Sequence, residues 1–547
     1  MKLKGLLWGA CACAMLAGCS NDDVAVDNGN NVLTNGGEAY VKVRIAMADG
    51  AYSRAATEGG YDYGTDEDHV IKSLYFGFYN ADGSWAAAGK NNYEDLSTTG
   101  KKDSPVGNID ATLDEAVIAL ELNENDPFPT QMVAYVNISS EDFASKIQGK
   151  SLTDAKSQTF EGNVDDETNG FIMTNSTYLD ASGKEKIAAD VTDANFFEDP
   201  EVAKVAEPVV IYVERLAAKV TVKSEVQSVD DIDAGEYTLK FEPQGYVVSG
   251  TNTKEYFLKN IEESWNSWDW FNEADDYRCF WAKDPNYESM GTVGLSYASY
   301  EEADKHDLDV AQYCMENTLT AELAESDGYK AYTHLLMVGQ YVVMKGEEKV
   351  DLSTASDGYL YRFGGTIYLA DDIRARLLDQ AADNQLAFSD QQGTQVGEAN
   401  YSIVRIGKTN TITLKLNKPT EGTTYYTRTG SEGSYSYTEI TDYDAYNKGL
   451  AEYLEKNIGK PEAFNDGKAY FVVPIEHFGT EGETGAIGVV RNHSYVLTIK
   501  KVTGMGEGIF DPTEPIEPNP QTKKYYVAAT LNILSWKTVS QNVNFGE

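Results

Sequence analysis

The stretch that decides the fold is residues 38–57, which read E-A-Y-V-K-V-R-I-A-M-A-D-G-A-Y-S-R-A-A-T. Apolar residues alternate with others in its first half, and one face carries Val41, Val43, Ile45 and Met47. A period of two predicts a β-strand with one buried face over residues 38–48. The strand is predicted to stop at the turn signal Ala48-Asp49-Gly50.

Arg54 gives this strand a candidate cleavage site. It stands between small residues in a segment that we expect to be exposed, and a trypsin-like protease would cut between Arg54 and Ala55. Such a cut would release the strand. The sheet would then lose an edge and expose an apolar groove.

The C-terminus supplies a candidate replacement strand. Residues 525–545 read Y-Y-V-A-A-T-L-N-I-L-S-W-K-T-V-S-Q-N-V-N-F and alternate in two runs, with a break around Trp536. The predicted donor residues are Val527, Leu531, Ile533, Trp536, Val539, Val543 and Phe545. One removable strand and one strand that can be donated indicate a subunit that assembles with copies of itself.

An export signal begins the chain. A basic start is followed by an apolar run over residues 5–15, which is too short to span a membrane permanently, and by the lipobox Leu16-Ala17-Gly18-Cys19. This order predicts a signal peptide over residues 1–18 and a lipid anchor on Cys19. An ordinary secretory signal with a chance cysteine is the alternative.

Length and charge limit the function further. A chain of 547 residues is too long for one core and predicts two or more domains. Its net charge of −42 repels nucleic acid and anionic membranes, so we expect no nucleic-acid partner.

The remaining chain shows many short alternating strands and few helices. We therefore predict a mainly β fold of two β-sandwich-like (transthyretin-like) domains with a C-terminal donor-strand arm. The predicted segments after the signal are a tether with the removable strand (19–54), an N-terminal domain (55–225), a C-terminal domain (226–510) and a proline-rich spacer with the arm (511–547).

No pattern of catalytic or metal-binding residues stands out. The five histidines are scattered, and no nucleophile elbow, phosphate-binding loop or dinucleotide fingerprint is found, so we predict no enzyme activity, no cofactor and no metal site. Cys279 and Cys314 remain after processing and could form one disulfide, which the sequence leaves open. The tryptophans of residues 265–281 either line a glycan groove or pack beneath a long insertion.

A series of motifs resembles the fimbrillins, the shaft subunits of the type V pili of Bacteroidota, and most closely their minor-fimbrium branch with its C-terminal domain. The motifs are L-A-G-C at 16–19, A-Y-S-R-A at 51–55, V-I-K-S-L-Y-F-G-F-Y-N-A-D-G at 70–83, V-A-Y-V-N at 133–137, V-E-R-L-A-A-K-V at 213–220, R-C-F-W-A-K-D-P-N-Y at 278–287, Y-C-M-E-N-T at 313–318 and V-R-N-H-S-Y-V-L-T-I-K-K-V-T-G at 490–504. They occur in order over nearly the whole chain.

The resemblance implies a mechanism. The precursor would reach the outer membrane as a lipoprotein, and a maturation protease would cut after Arg54 and remove the lipid together with the first strand. The arm of a neighbouring copy would fill the groove, building extracellular fimbriae that support adhesion and biofilm together with anchor and tip subunits. The alternatives are an anchor or tip subunit, or a surface lipoprotein that binds glycans.

Overall fold

The computed structural model describes residues 37–47, 61–62, 70–86, 115–122, 127–164, 170–223, 228–229, 232–274, 277–480, 482–502, 504–518 and 536–545. Its fold is mainly β, which confirms the predicted fold class. Several of the predicted site residues lie outside the described residues, namely Cys19, Arg54, Ala55, Val527, Leu531 and Ile533. In the described part, no helix is long and apolar enough to cross a membrane.

Six strands position the candidate site and are labelled in chain order. They are β1 (Gly37–Met47), β2 (Glu115–Leu122), β3 (Val209–Arg215), β4 (Ala218–Lys223), β5 (His493–Val502) and β6 (Trp536–Phe545). β1, β2 and β3 belong to a seven-stranded sheet, here called the N-terminal sheet. β4, β5 and β6 belong to a six-stranded sheet, here called the C-terminal sheet.

The strand order of the N-terminal sheet is Ala189–Asp190, Gln131–Val136, Met173–Asn175, β3, β1, β2, with Leu74–Tyr79 paired to Gln131–Val136. The order of the C-terminal sheet is Tyr61–Asp62, β6, β5, β4, Gln312–Cys314, with Ser228–Val229 on β5. A third sheet, the facing sheet, has the order Ile232–Ala234, Tyr237–Ser249, His334–Lys345, Lys468–Pro474, Glu507–Gly508, with Glu348–Lys349 on His334–Lys345.

The other elements are short. The remaining strands are Thr159–Glu161, Tyr178–Leu179, Glu185–Lys186, Thr251–Asn252, Lys254–Tyr256, Asn272–Glu273, Arg278–Cys279, Leu295–Ser296, Tyr359–Phe363, Thr366–Tyr368, Ala387–Phe388, Tyr401–Arg405, Ile412–Leu416, Tyr426–Thr429, Ser436–Glu439 and Glu462–Asn465. The α-helices are Ser140–Asp142, Leu152–Lys156, Pro200–Val205, Tyr300–Ala303, Ala321–Asp327, Leu352–Ala355, Ala370–Asp379 and Tyr443–Asn457, and a π-helix spans Phe143–Ile147. Single 3₁₀ turns lie at Asp193–Asn195, Glu263–Ser267, Gly328–Lys330, Asp383–Gln385 and Glu398–Asn400.

Alternating side chains build the two largest cores. The inward residues of the N-terminal sheet include Val41, Val43, Phe76, Ile118 and Ile211, which lie in one apolar cluster. The C-terminal and facing sheets share another cluster, which joins Val220, Tyr495 and Leu497 to Leu335, Met337 and Phe471. Because each sheet turns one apolar face to the other, these two sheets form a β-sandwich.

A smaller core is built around the two longest α-helices. In Tyr443–Asn457, Asp442 caps the first turn by accepting hydrogen bonds from the backbone nitrogens of Asp444 and Ala445. Leu450 and Leu454 lie one turn apart and are buried against the hairpin of Tyr401–Arg405 and Ile412–Leu416. This part therefore adds a helical layer to the side of the sandwich.

Gly339 shows how closely the facing sheet is packed. It lies in His334–Lys345, opposite the point where the register with Tyr237–Ser249 shifts between Pro243 and Gly245. A Cβ placed on Gly339 would lie 2.6 Å from the carbonyl oxygen of Glu242 and would overlap the ring of Phe241. Only a residue without a side chain fits at this position.

We therefore expect Gly339→Ala to lower the free energy of unfolding by about 1–3 kcal/mol, because the added methyl overpacks the core. Gly449→Ala is the control, since Gly449 is exposed in a helix and a Cβ there meets nothing within 4 Å. The control should raise the free energy of unfolding by about 0.5–1 kcal/mol, because alanine has a higher helix propensity than glycine. Urea unfolding followed by circular dichroism measures both, and equal effects would contradict the packing argument.

Candidate strand-exchange site

β1 is an inner strand of the N-terminal sheet. It runs parallel to β3, from the pair Val43–Val209 to the pair Met47–Val213. On its other side it runs antiparallel to β2, from Gly37–Leu122 to Arg44–Glu115. The prediction that this strand forms an edge is therefore wrong. Alternation shows which face of a strand is buried, but one neighbour and two neighbours give the same pattern.

Three inner-face residues of β1 are buried. Val41 and Val43 are completely buried and Ile45 is nearly so, while the intervening Lys42 and Arg44 are half-buried. This is the pattern expected of a strand with one face in a core. Met47 is the last residue of β1.

Ahead of its pairing with β3, the start of β1 pairs through its backbone with Phe197. The backbone nitrogen of Tyr40 donates to the carbonyl oxygen of Phe197 (2.7 Å), and the nitrogen of Phe197 donates back to Tyr40 (2.9 Å). The short helix Pro200–Val205 comes next in the chain, with proline in its first turn and Asp199 accepting from the nitrogen of Glu201. The buried Ala203 of this helix lies in one apolar cluster with Tyr40, Val117 and Ala119.

β6 lies in a different sheet from β1. It runs parallel to β5, from the pair His493–Lys537 to the pair Val502–Phe545, with an irregularity between Ile499 and Lys501. Tyr61–Asp62 pairs antiparallel with its first two residues. Of the predicted donor residues, Trp536, Val539, Val543 and Phe545 belong to this strand. Within one chain, the last strand is thus held on its own C-terminal sheet.

A short joint connects the two sheets. β3 and β4 are separated only by Leu216 and Ala217, and both of these residues are buried. The backbone nitrogen of Asn492 donates to the carbonyl oxygen of Ala217 (2.8 Å), and Arg215 donates to the side chain of Asn492 (3.3 Å). The strand beside β1 therefore continues directly into the sheet that holds β6.

Two buried ion pairs reinforce this joint. Lys259 and Glu214 meet at 2.6 Å with both side chains almost fully buried. Arg491 and Glu316 meet at 3.3 Å, again without exposure, and Arg491 also donates to the carbonyl oxygen of Phe257. Burial raises the pKa of Glu214, and Lys259 opposes that shift. These four residues are here called the buried ion cluster.

Glu255 is a further carboxyl group beside the cluster. One of its oxygens accepts from the backbone nitrogen of Glu316 (2.7 Å), and the other, Oε1, finds no hydrogen-bond partner among the described residues. Burial raises the pKa of Glu255 to about 8, against the attraction of Arg491. The group therefore carries its proton at neutral pH.

The buried ion cluster was not predicted from the sequence. Its acids and Arg491 fall within the motifs at 213–220, 313–318 and 490–504, where they were recognised only as parts of a pattern. A charged residue inside an apolar run, as in V-E-R-L-A-A-K-V, is the signal that could have found it. Charges in such a place must be paired, because an unpaired charge is too costly to bury.

The two cysteines do not form the disulfide considered from the sequence. Cys279 and Cys314 are both buried and both carry free thiols. The Cys279 sulfur lies 3.0 Å from the carbonyl oxygen of Thr177, while Cys314 pairs with Ala218 of β4 at the edge of the C-terminal sheet. The two residues thus lie in different strands and serve separate contacts, which spacing alone does not reveal.

The tryptophans pack mainly against one another. Trp265 and Trp281 are buried. Trp268 stacks on Trp265 with ring centroids 5.4 Å apart and on Trp270 with centroids 5.2 Å apart. Trp270 in turn meets Trp281 edge-on. These are the contacts of an aromatic core beneath an insertion. Among the described residues no group of three or more His, Cys, Asp or Glu side chains could hold a metal ion.

A family model matches the C-terminal part of the chain. Residues 462–542, which include β5 and most of β6, match the family model described as "Major fimbrial subunit protein type IV, Fimbrillin, C-terminal". No curated protein matches the chain.

Solved structures show only distant likeness. A fimbrilin of Porphyromonas gingivalis W83 is 11% identical over 93% of this chain and 97% of its own, with a TM-score of 0.34. A fimbrial assembly protein from Parabacteroides distasonis ATCC 8503 is 12% identical over 73% and 98%, with a TM-score of 0.25. The C-terminally truncated tip fimbrial protein from Porphyromonas gingivalis is 11% identical over 74% and 100%, with a TM-score of 0.28. Likeness at this level carries no inference about function.

The fold and the paired terminal strands define a mainly β protein. The family match covers residues 462–542, so it shows that the C-terminal part of the chain is similar to the fimbrillin C-terminal region. Membership of the whole chain in the fimbrillin family, and with it a role in fimbriae, stays a prediction from the sequence motifs. The assignment to the minor-fimbrium branch stays a prediction.

Lys259→Met tests the buried ion cluster. The change leaves Glu214 buried without its cation, and we expect the free energy of unfolding to fall by about 3–5 kcal/mol. Lys184→Met is the matched control, because Lys184 pairs with Glu263 at the surface and the protein should melt as before. Thermal melts of the precursor measure both. If the Lys259→Met variant had the same melting temperature as the wild type, the ion pair would not stabilise the joint.

Glu255→Gln tests the protonated carboxyl. The folded-state pKa of about 8 lies above the ordinary value of 4.5. The protonated Glu255 therefore makes its full contribution to the free energy of unfolding below pH 4.5, and this contribution is lost as the pH rises through 8. Melting temperatures from about pH 5 to about pH 9 should fall less steeply in Glu255→Gln than in the wild type. Glu325→Gln, at an exposed position, should keep the wild-type slope, and a common slope for all three proteins would contradict the assignment.

Proposed function

We propose that the chain is the shaft subunit of a pilus that assembles when a protease removes β1 and the C-terminal arm of a neighbour takes its place. The observation that carries the proposal is the position of β1, which is paired on both sides although it stands first among the described strands. Arg54 lies seven residues beyond Met47 in the chain. One cut there would free β1 from the rest of the chain.

Loss of an inner strand would leave both of its neighbouring strands unpaired on one side and expose an apolar slot. The facing backbone groups of β2 and β3 would lose their partners, and the apolar slot that holds Val41, Val43 and Ile45 would open. Each such side chain contributes about 1.5–3 kcal/mol on burial. A strand from a second copy would recover both the hydrogen bonds and the burial, as in β-strand addition generally. That recovery would hold a polymer together.

The same cut would explain the lipobox. In the proposed precursor Cys19 carries the lipid that anchors the chain at the outer membrane, and residues 19–54 form the removable segment. Cleavage by an arginine-specific protease would release lipid and β1 together, so that the mature subunit passes into extracellular fimbriae. Assembly with anchor and tip subunits, adhesion and biofilm support are parts of the same proposal.

Digestion of the purified, lipid-free precursor tests the proposal. An arginine-specific protease is preferable to trypsin, because trypsin would also cut after Lys523 and Lys524 and remove the proposed donor. We expect a new N-terminus at Ala55 and, on unboiled gels, a ladder of SDS-resistant multimers. Sequencing of the product and the gel supply both readouts.

Arg54→Ala is the control for this experiment. It should remain intact at this position and remain monomeric under the same treatment, because β1 then stays in the sheet. Cleavage at Arg54 that yields only monomer would overturn strand exchange. It would favour an anchor or tip subunit, or the glycan-binding lipoprotein.

A further inference from the structure

β1 and the C-terminal arm carry the same residue pattern. Residues 39–47 read A-Y-V-K-V-R-I-A-M, and residues 525–533 read Y-Y-V-A-A-T-L-N-I. In both, a Tyr-Val pair in the second and third positions opens a run in which every second residue is apolar. The pattern alone suits several alignments, because a shift of two residues keeps every side chain on its own face.

A single position of β1 distinguishes those alignments. Tyr40 is the buried residue on the outer face, whereas the next outer residues, Lys42 and Arg44, are only half-buried. Tyr40 lies in one apolar cluster with Val117, Ala119 and Ala203, and the partly buried Phe197 packs against this cluster. This set is here called the tyrosine pocket.

The tyrosine pocket is built for a large ring. Tyr40 stands directly opposite Ala119 in β2, so that a small residue on one strand leaves room for a large one on the other. Ala203 closes the pocket from the helix Pro200–Val205, and the backbone of Phe197 pairs with that of Tyr40. Emptying such a pocket leaves a cavity, which is costly in a packed protein.

We infer that the tyrosine pocket sets the register of strand exchange, with Tyr526 of a second copy replacing Tyr40. The inference rests on the proposed strand exchange. The incoming strand would run in the same direction as β1 and place Val527, Ala529, Leu531 and Ile533 where Val41, Val43, Ile45 and Met47 stand in the precursor.

The side chains fit this register from Tyr526 onward. Valine replaces valine at the first inner position, and leucine replaces an isoleucine of equal size at the third. Tyr525 falls at the place of Ala39, which is fully buried. Because that place has no room for a ring, the inferred register holds from Tyr526 onward, and Tyr525 lies outside the slot.

The neighbouring registers fit the pocket poorly. A shift of two residues in one direction puts Ala528 in the tyrosine pocket and leaves most of it empty. The opposite shift puts Lys524 there and buries an ammonium group among apolar side chains. The pocket thus rejects both alternatives that the inner face would accept.

Cysteine cross-linking tests the register directly. Lys42 stands opposite Val117 in β2, so the inference places Ala528 opposite Val117 in the polymer. After arginine-specific cleavage and mild oxidation, the variant with Val117→Cys and Ala528→Cys should give multimers that survive boiling in SDS and collapse with a reducing agent. Val117→Cys alone should give multimers that boiling destroys.

Two other cysteine pairs serve as matched controls and keep Tyr526. Val117→Cys with Thr530→Cys reports one neighbouring register, and Glu115→Cys with Ala528→Cys reports the other, because Glu115 stands opposite Arg44 in β2. A reducible ladder from either control, or none from Val117→Cys with Ala528→Cys while the boiling-sensitive ladder still forms, would overturn the inferred register and leave strand exchange intact. If the wild type forms no ladder at all, the proposed function itself fails.

A pair of alanine variants tests the pocket without cysteines. Tyr526→Ala should give multimers that dissociate at lower temperature on SDS gels, because it empties the tyrosine pocket. Tyr525→Ala makes the same chemical change one residue earlier and should leave the multimers as stable as the wild type. Equal loss in the two variants would overturn the role of the pocket.

Discussion

The pairing of β1 with β2 on one side and β3 on the other is the constraint on which the N-terminal sheet depends. β1 supplies the only described link between these two strands, since β2 ends the sheet and β3 begins the rest of it. A strand in that place contributes two rows of backbone hydrogen bonds and one row of buried side chains. This first described strand is integral to the sheet, and the segment that contains Arg54 joins it to the described residues that follow.

The buried ion cluster gives the second constraint. It lies where β3 passes into β4, and its ion pairs draw together segments that are far apart in the chain, such as Glu214 with Lys259 and Glu316 with Arg491. Charges without exposure tolerate little movement, because any separation leaves them unpaired in a medium of low polarity. The joint between the sheet that holds β1 and the sheet that holds β6 is therefore stiff. In a polymer, tension on one strand would pass through this joint to the other.

Part of this arrangement could be predicted from local pattern. The alternation in residues 38–48 predicted β1 to within one residue at each end, because a strand with one buried face imposes a period of two on its own sequence. The inner position of β1 could not be predicted in this way. Its second partner, β3, lies far along the chain, and nothing in either sequence records the pairing. The buried ion cluster could not be predicted for the same reason, since each charge has its partner in a distant segment of the chain.

The sequence by itself determined the mainly β class and the alternating faces of β1, because those properties are repeated from residue to residue. It also carried the motifs by which the chain resembles the fimbrillins. Only the tertiary structure decided that β1 has two neighbours, that Cys279 and Cys314 stay apart as free thiols, and that Tyr40 fills a pocket closed by the helix Pro200–Val205. Those features depend on contacts between residues that are distant in the chain, and local sequence patterns do not encode which distant segments meet.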